Sequence, residues 1–397
     1  MVNDLISAIS WIAAIPCLIA LWVFSIETIL GVGSRKKIAI EIAQPNTVIL
    51  MPAHNEALNI STTLKNLLPI LSDRVRILVV ADNCDDSTAA RVREMGIDVI
   101  ERQAPNNRGK GFALSFGQEH LRLNPPEAVI VLDADCESDT QSISDLARLT
   151  FRSGSPVQAQ NLIYSDRLGG PMVQISNFAF WIKNAVRQRG VSRMGGPALL
   201  GGTGMAFPWL LFDKLPLATS SIVEDLGLGI YLTKEGYSPV YLDQALVLSK
   251  AADEKETINQ RSRWEVGFLS MAREYGLKSL WVGLLSLDRR LFQLGLHLIV
   301  PPLALLFSMT LLMLALMIPL SVIADDMVPS ILLSGSLIVA VICIVIAWAF
   351  GGHRFLGGAT LFRLPLYLIW KIPVYLKLIK GEVPEWKRTE RKNDMEI

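Results

Sequence analysis

Three long apolar runs set the limits on what this chain can fold into. Residues 5–26, 303–323 and 331–350 carry no charged side chain. Each has the ~20 residues that a helix needs to cross a hydrocarbon core. Between the first and second lies a polar stretch, residues 35–275, long enough for one large domain. A hydrophobic share of 51% and a mean hydropathy of +0.38 are high for a purely water-soluble chain. The expected plan is a soluble domain flanked by transmembrane helices.

Charge placement orients the spans. Arg35-Lys36-Lys37 follow the first run, so the positive-inside rule puts the N-terminus outside and the next domain in the cytoplasm. A cleaved signal peptide would need a basic leader, and only Asn3 and Asp4 precede the apolar run. Asp325-Asp326 reads as a short outer loop, and His353-Arg354 as inside. Residues 356–379 are apolar again but carry Arg363, Lys371, Lys377, Pro365 and Pro373. Those cations suit a helix lying in the cytoplasmic interface better than a crossing. A crossing would also carry the basic tail, residues 387–392, outside. A fourth span is the alternative, since long cationic side chains snorkel to water.

The expected division is a transmembrane helix over 1–34, a cytoplasmic domain over 35–275, and interfacial helices over 276–302. Two more spans follow over 303–350, then an interfacial helix and basic tail over 351–397. Formal net charge is only +1, so no nucleic-acid partner is expected. Cys17, Cys84, Cys136 and Cys343 show neither metal-type spacing nor a secreted disulfide pattern, and read as reduced thiols.

Within the soluble stretch, short apolar runs alternate with helical spacing. Strands are expected over 47–51, 75–80, 98–101 and 128–132, and helices over 60–71, 87–95 and 111–123. That alternation means a mostly parallel α/β sheet with ligands at the C-terminal ends of its strands. Polar residues gather at those ends: Asn55-Glu56, Asp82-Asn83, and Asp133 with Asp135. No GxGxxG follows the first strand, which disfavours a dinucleotide fold.

Two carboxylates one residue apart, directly after Val129-Ile130-Val131-Leu132, can hold a divalent metal and its diphosphate. Their bland reading is a solvated acidic loop. Glu224-Asp225 can supply a general base, or can simply be acidic residues at a helix N-terminus. Gly201-Gly202-Thr203-Gly204 lets a ligand approach the backbone, or marks a bend before Pro208. Arg108-Gly109-Lys110-Gly111 can bring a cation to phosphates, or be a basic turn. Gln260-Arg261-Ser262-Arg263-Trp264 can grip a phosphate and a sugar, or anchor an amphipathic helix on a membrane.

Taken in order, these segments resemble the family-2 glycosyltransferases with a GT-A nucleotide-sugar domain. The resemblance runs through the opening Val48 to Glu56, the acidic segment Val79 to Thr88, a DxD at Asp133 and Asp135, an ED at Glu224-Asp225 and a QxxRW at Gln260 to Trp264. Flanking membrane helices make the chain similar to the cellulose, chitin and hyaluronan synthases. The second acidic motif departs from the family's common Asp-Asp-Gly-Ser: Ala81 replaces the first Asp, and Asn83-Cys84 replace Gly-Ser.

The resemblance implies a UDP-sugar donor and bound Mg²⁺ or Mn²⁺. Asp135 would contact the metal directly, and Asp133 the metal or nucleotide. Asp82 would bind the uracil, with Asn55 and Glu56 at the same edge and Lys110 near the phosphates. The alternative for Asp82 is a cap on the following helix. Asp225 would be the base, with Glu224 beside it. Gly202, Thr203 and Gly204 would meet the acceptor. Arg263 would pair with the diphosphate, Trp264 would pack on the acceptor sugar, and Gln260 would meet the acceptor or the diphosphate. The expected enzyme is an inverting hexosyltransferase in a bacterial inner membrane, multi-pass, working in exopolysaccharide or surface-polysaccharide synthesis with a saccharide acceptor. A lipid-linked acceptor, ceramide-like or polyprenol-linked, is the alternative. An oligomer or an export partner would complete a pore. A non-catalytic receptor or transporter is the remaining reading, disfavoured because Asp133, Asp135 and Asp225 are all present and three spans make a poor transport bundle.

Overall fold

The computed structural model describes residues 2–33, 37–163, 170–221, 223–249 and 254–379. The basic residues at 35–36 and 387–392 lie outside the described residues. The chain forms two compact units: one holds residues 34–164 and 197–260, the other residues 1–33, 165–196 and 261–385.

The first unit is built on one sheet, eight-stranded among the described residues. Its strands are β1 (Thr47–Ala53), β2 (Val75–Asp82), β3 (Asp98–Arg102), β4 (Ala128–Val131), β5 (Cys136–Ser138), β6 (Val157–Ile163), β7 (Met205–Pro208) and β8 (Val240–Ser249). Their spatial order is β3-β2-β1-β4-β7-β6-β8-β5. β3, β2, β1 and β4 run parallel, as do β6 and β8. β7 is antiparallel to both β4 and β6, and β5 is antiparallel to β8. This mostly parallel sheet with helices is a GT-A-like fold, as expected.

The period of two along β1 explains why it is apolar from Val48 onward. Ile49 and Met51 enter one core with Ile60, Leu64, Ile143 and Leu146. Val48 and Leu50 enter another with Leu114, Leu121, Phe212 and Leu232. A strand covered on both faces has no polar side to show. Truncating Leu50 to Ala would cost on the order of 2–5 kcal/mol. The helix Lys110–Leu121 sits close on this sheet because Gly117 lets it: a Cβ there would stand 2.6 Å from Leu50 Cδ1.

Several boundaries differ from expectation, and two of the differences have a clear physical cause. β1 runs through Pro52 to Ala53 rather than stopping at Met51. Its register with β2 continues to Ala53↔Ala81, but its register with β4 ends at Leu50↔Val131. Pro52 therefore lies where one neighbour is missing, a place that tolerates an absent N–H. The helix expected over 60–71 is Ile60–Leu67, continued by a 3₁₀ turn over Leu68–Ile70. Pro69 cannot donate the next helical bond, so the chain tightens there.

The second unit is helical. Val2–Gly31, Leu303–Ala324 and Val328–Ala349 are, among the described residues, the helices long and apolar enough to cross a membrane. Each turns large apolar side chains outward: Ile12, Leu312 and Ile331 are all more than half exposed. Such faces suit lipid rather than water. Glu27, near the end of the first helix, is buried with Arg187 and His297. Arg187 Nε donates to Glu27 Oε2 at 2.7 Å, and His297 Nδ1 stands 2.8 Å from Glu27 Oε1. Arg189 and Arg193 donate to carbonyls at the end of the same helix, those of Gly31 and of Leu30, Val32 and Gly33. They satisfy the acceptors that a helix leaves open at its C-terminus.

Candidate active site

The C-terminal ends of β1 and β2 are pinned to each other by side chains. Asn55 and Asn83 both adopt the left-handed conformation, with φ of 53° and 50°, which Asn tolerates better than most residues. Asn55 Oδ1 accepts from Asp85 N at 2.8 Å, and Asn83 Oδ1 accepts from Ala104 N at 2.7 Å. Glu56 N donates to Thr88 Oγ1 at 2.8 Å.

Asp82 is 7% exposed. Its Oδ1 accepts from Arg102 at 2.5 Å and from Asn83 Nδ2 at 3.0 Å. Asp82 does not cap the following helix. Asp86 Oδ1 takes the Thr88 N–H at 2.9 Å, and its Oδ2 takes the Ala57 N–H. Sequence reasoning missed Arg102. The two meet because Arg102 ends β3 in register with Asp82, a pairing that the local sequence does not show.

Lys110 opens the helix Lys110–Leu121. Its Nζ donates to Asp133 Oδ1 and, at 2.7 Å, to Gly202 O. The flanking glycines make that placement possible. Gly109 has a φ of 130°, and a Cβ on Gly111 would stand 2.4 Å from Leu217 O. Burial disfavours the Lys110 charge, but Asp133, Glu224 and Asp225 outweigh it and hold its pKa above the ordinary lysine value.

Asp133, Asp135 and Cys136 bring donor atoms within 4.8 Å of one another. Asp133 N donates to Thr203 Oγ1 at 3.1 Å. Burial pushes the Cys136 thiol up to about 12. A hard divalent cation prefers oxygen to sulfur, so the two carboxylates are the better donors here. They fit such a cation completed by phosphate oxygens.

Glu224 and Asp225 occupy the first turn of the helix Glu224–Lys234. The glycine segment closes on them. Gly202 has a φ of 81°, and a Cβ there would lie 3.2 Å from Asp225 Oδ2 and 3.5 Å from Lys110 Nζ. Gly204 has a φ of 65°, and its Cβ would lie 2.8 Å from Val247 Cγ2. Glycine is therefore required by conformation and by space, beyond a bend before Pro208. Burial, then the Asp225 charge, raises the Glu224 pKa to about 8, against the pull of Lys110. A narrow cleft beside the pair is lined by Gly111, Leu114, Met205, Leu217, Glu224 and Asp225.

The sheet unit thus brings together Lys110, Asp133, Gly202, Glu224 and Asp225, with Asp135 and Thr203 beside Asp133. Asn55, Glu56 and Asp82 gather at the ends of β1 and β2. Gln260, Arg263 and Trp264 share the helix Glu254–Met271. In the helical unit, Trp264 packs on Phe180 with ring centroids 5.8 Å apart. Arg261, absent from the expected set, stands 4.1 Å from the Phe180 centroid and 5.2 Å from that of Trp264. It also donates to Asn177 Oδ1 at 3.1 Å. Nothing in its local sequence distinguishes it from Arg263.

Comparisons with known proteins agree on one family. The model of glycosyl transferase family 2 matches residues 48–201, and that of glycosyl transferase family group 2 matches residues 128–351. The probable glycosyltransferase YdaM of Bacillus subtilis is 26% identical over 238 residues, 56% of this chain and 55% of that one. The 4,4'-diaponeurosporenoate glycosyltransferase of Staphylococcus haemolyticus is 31% identical over 125 residues, 29% of this chain and 32% of that one. The chain therefore spans about half the length, or less, of these curated relatives. A mannosyltransferase from Pyrobaculum calidifontis, solved in complex with GDP-Man and Mn²⁺, shares the fold at a TM-score of 0.53. Its identity is 15%, over 96% of this chain and 98% of that one. With a GT-A-like sheet carrying these carboxylates and a family model covering more than half its length, the chain belongs to glycosyl transferase family group 2.

Proposed function

We propose that this protein is an inverting glycosyltransferase that moves a sugar from a UDP-sugar to a saccharide acceptor. Its setting is the cytoplasmic face of a bacterial inner membrane, in exopolysaccharide or surface-polysaccharide synthesis. The observation that carries this reading is the group Lys110, Asp133, Gly202 and Asp225, in which a cation, a metal-type carboxylate and a base candidate converge on bare backbone.

Each side chain has a task. Asp82, already oriented by Arg102, offers its remaining lone pairs to the N–H of the nucleobase. Lys110 brings a fixed positive charge toward the diphosphate and orients Asp133. A divalent cation held by Asp133 and Asp135 would neutralise charge on the departing diphosphate. Asp225 takes the proton from the acceptor hydroxyl as that oxygen attacks the anomeric carbon. The bond to the diphosphate breaks on the opposite face, so an α-linked donor gives a β-linked product. Glu224 stands beside Asp225 in the same helical turn, where burial and the Asp225 charge raise its pKa. Arg263 pairs with the diphosphate, and Trp264 offers its face to the acceptor sugar, with Gln260 beside them.

A lipid-linked acceptor is the second reading. It is favoured by the three apolar helices and by the relative named 4,4'-diaponeurosporenoate glycosyltransferase. Nucleoside diphosphate release from the protein in detergent tests both. The donor panel is UDP-sugars and GDP-mannose with Mg²⁺ or Mn²⁺, with and without a membrane lipid extract. Donor-selective release that a chelator abolishes supports transfer, and dependence on the extract selects the lipid acceptor. Absence of nucleotide binding under all conditions rejects the reading.

A further inference from the structure

The helix Leu364–Ile379 sends one of its lysines inward. The Lys371 side chain is 1% exposed, and its Nζ donates to Glu265 Oε1 at 2.8 Å. A helix whose only task is to lie on a lipid surface directs its lysines to water. A buried ammonium persists only where it is paired. Here the partner is 106 residues away in sequence, and it directly follows Trp264 on the helix Glu254–Met271. Trp264 packs against Phe180 and the guanidinium of Arg261.

We propose that Lys371 is a positioning residue for the acceptor end of the site. Through Glu265 it fixes the helical turn that carries Arg263 and Trp264. This rests on the reading in which those two side chains grip the diphosphate and the acceptor. Loss of the pair frees that turn to rotate and moves Trp264 against Phe180. A small displacement of a substrate-binding group is enough to slow a reaction severely.

The test uses the full chain in lipid nanodiscs, labelled with fluorotryptophan. The Trp264 signal in the fluorine NMR spectrum is assigned by its loss in Trp264→Phe. Lys371→Met should shift or broaden that signal and lower kcat/KM by about tenfold or more. The loss should fall chiefly on the acceptor KM, with a smaller rise in the donor KM through Arg263. Should Lys371→Met fold poorly, Glu265→Gln makes the same test with a smaller change. Combining Lys371→Glu with Glu265→Lys should restore both readouts toward the parent. A Trp264 signal unmoved in the folded variants, or an unchanged acceptor KM, overturns the proposal. If the parent transfers no sugar from any donor, the transferase reading fails, while a shifted Trp264 signal still upholds the contact between the two helices.

Discussion

Arg102 and Asp82 form an ion pair of 2.5 Å at the end of the parallel strands, with side chains only 11% and 9% exposed. The pair joins the last residues of β2 and β3, which face each other in register. It also presets the carboxylate that the proposed function assigns to the nucleobase. Replacing Asp82 with Ala leaves a mostly buried guanidinium short of its carboxylate, a loss on the order of 1–3 kcal/mol. Arg102→Met should therefore weaken nucleotide binding without touching nucleotide itself. Calorimetric titration with UDP, beside a thermal melt of each variant, checks both effects.

Gly202→Ala should cripple transfer while the protein still folds. The residue sits at a φ of 81°, and an added Cβ would meet Asp225 Oδ2 at 3.2 Å. Left-handed backbone costs a residue with a Cβ about 1–2 kcal/mol, which a domain of this size survives. A melting temperature lowered by a few degrees with activity intact would show that the Gly202 approach to Asp225 has no part in the chemistry.

Glu224 should make stability depend on pH. Its pKa in the folded protein is raised from 4.5 to about 8. The folded state therefore binds the proton more tightly than the unfolded chain. That contribution is fully present below the ordinary carboxylate value and is lost as pH rises through about 8. Glu224→Gln removes the ionisation and should flatten the decline. Melting temperatures of both proteins across this range give the comparison, and parallel curves would contradict the shift.

Asp135→Ala should weaken metal-dependent nucleotide binding, since it removes one of two oxygen donors for a hard cation. Retitration with Mn²⁺ should show a rise in the metal concentration needed for half-maximal UDP binding. Equal metal dependence in the variant and the parent would take Asp135 out of the metal site.

Much of the sheet unit was legible in the sequence because its signals are local. β1, β2 and β4 are short, mostly apolar runs ended by polar turns, kept so by covering on both faces, whereas the edge strand β3 is mixed. The glycines at 202 and 204 signalled close backbone approach. What stayed hidden depends on partners far along the chain. β7 inserts between β4 and β6, and nothing in Met205–Pro208 specifies those neighbours. Arg102 and Asp82 meet only once β2 and β3 are in register. Lys371 was read as a cation for the membrane interface, yet it is buried on a carboxylate that no local pattern links to it.

The most direct test of the account is Asp225→Asn, which keeps the side chain's shape and removes its ability to take a proton. Transfer and Mn²⁺-dependent UDP binding should be measured on the same preparation. Loss of a general base slows a reaction by about 10²–10⁴-fold, so transfer should fall by that order while UDP binding stays near that of the parent. Full transfer by a folded Asp225→Asn protein would contradict the assignment of Asp225 as the base.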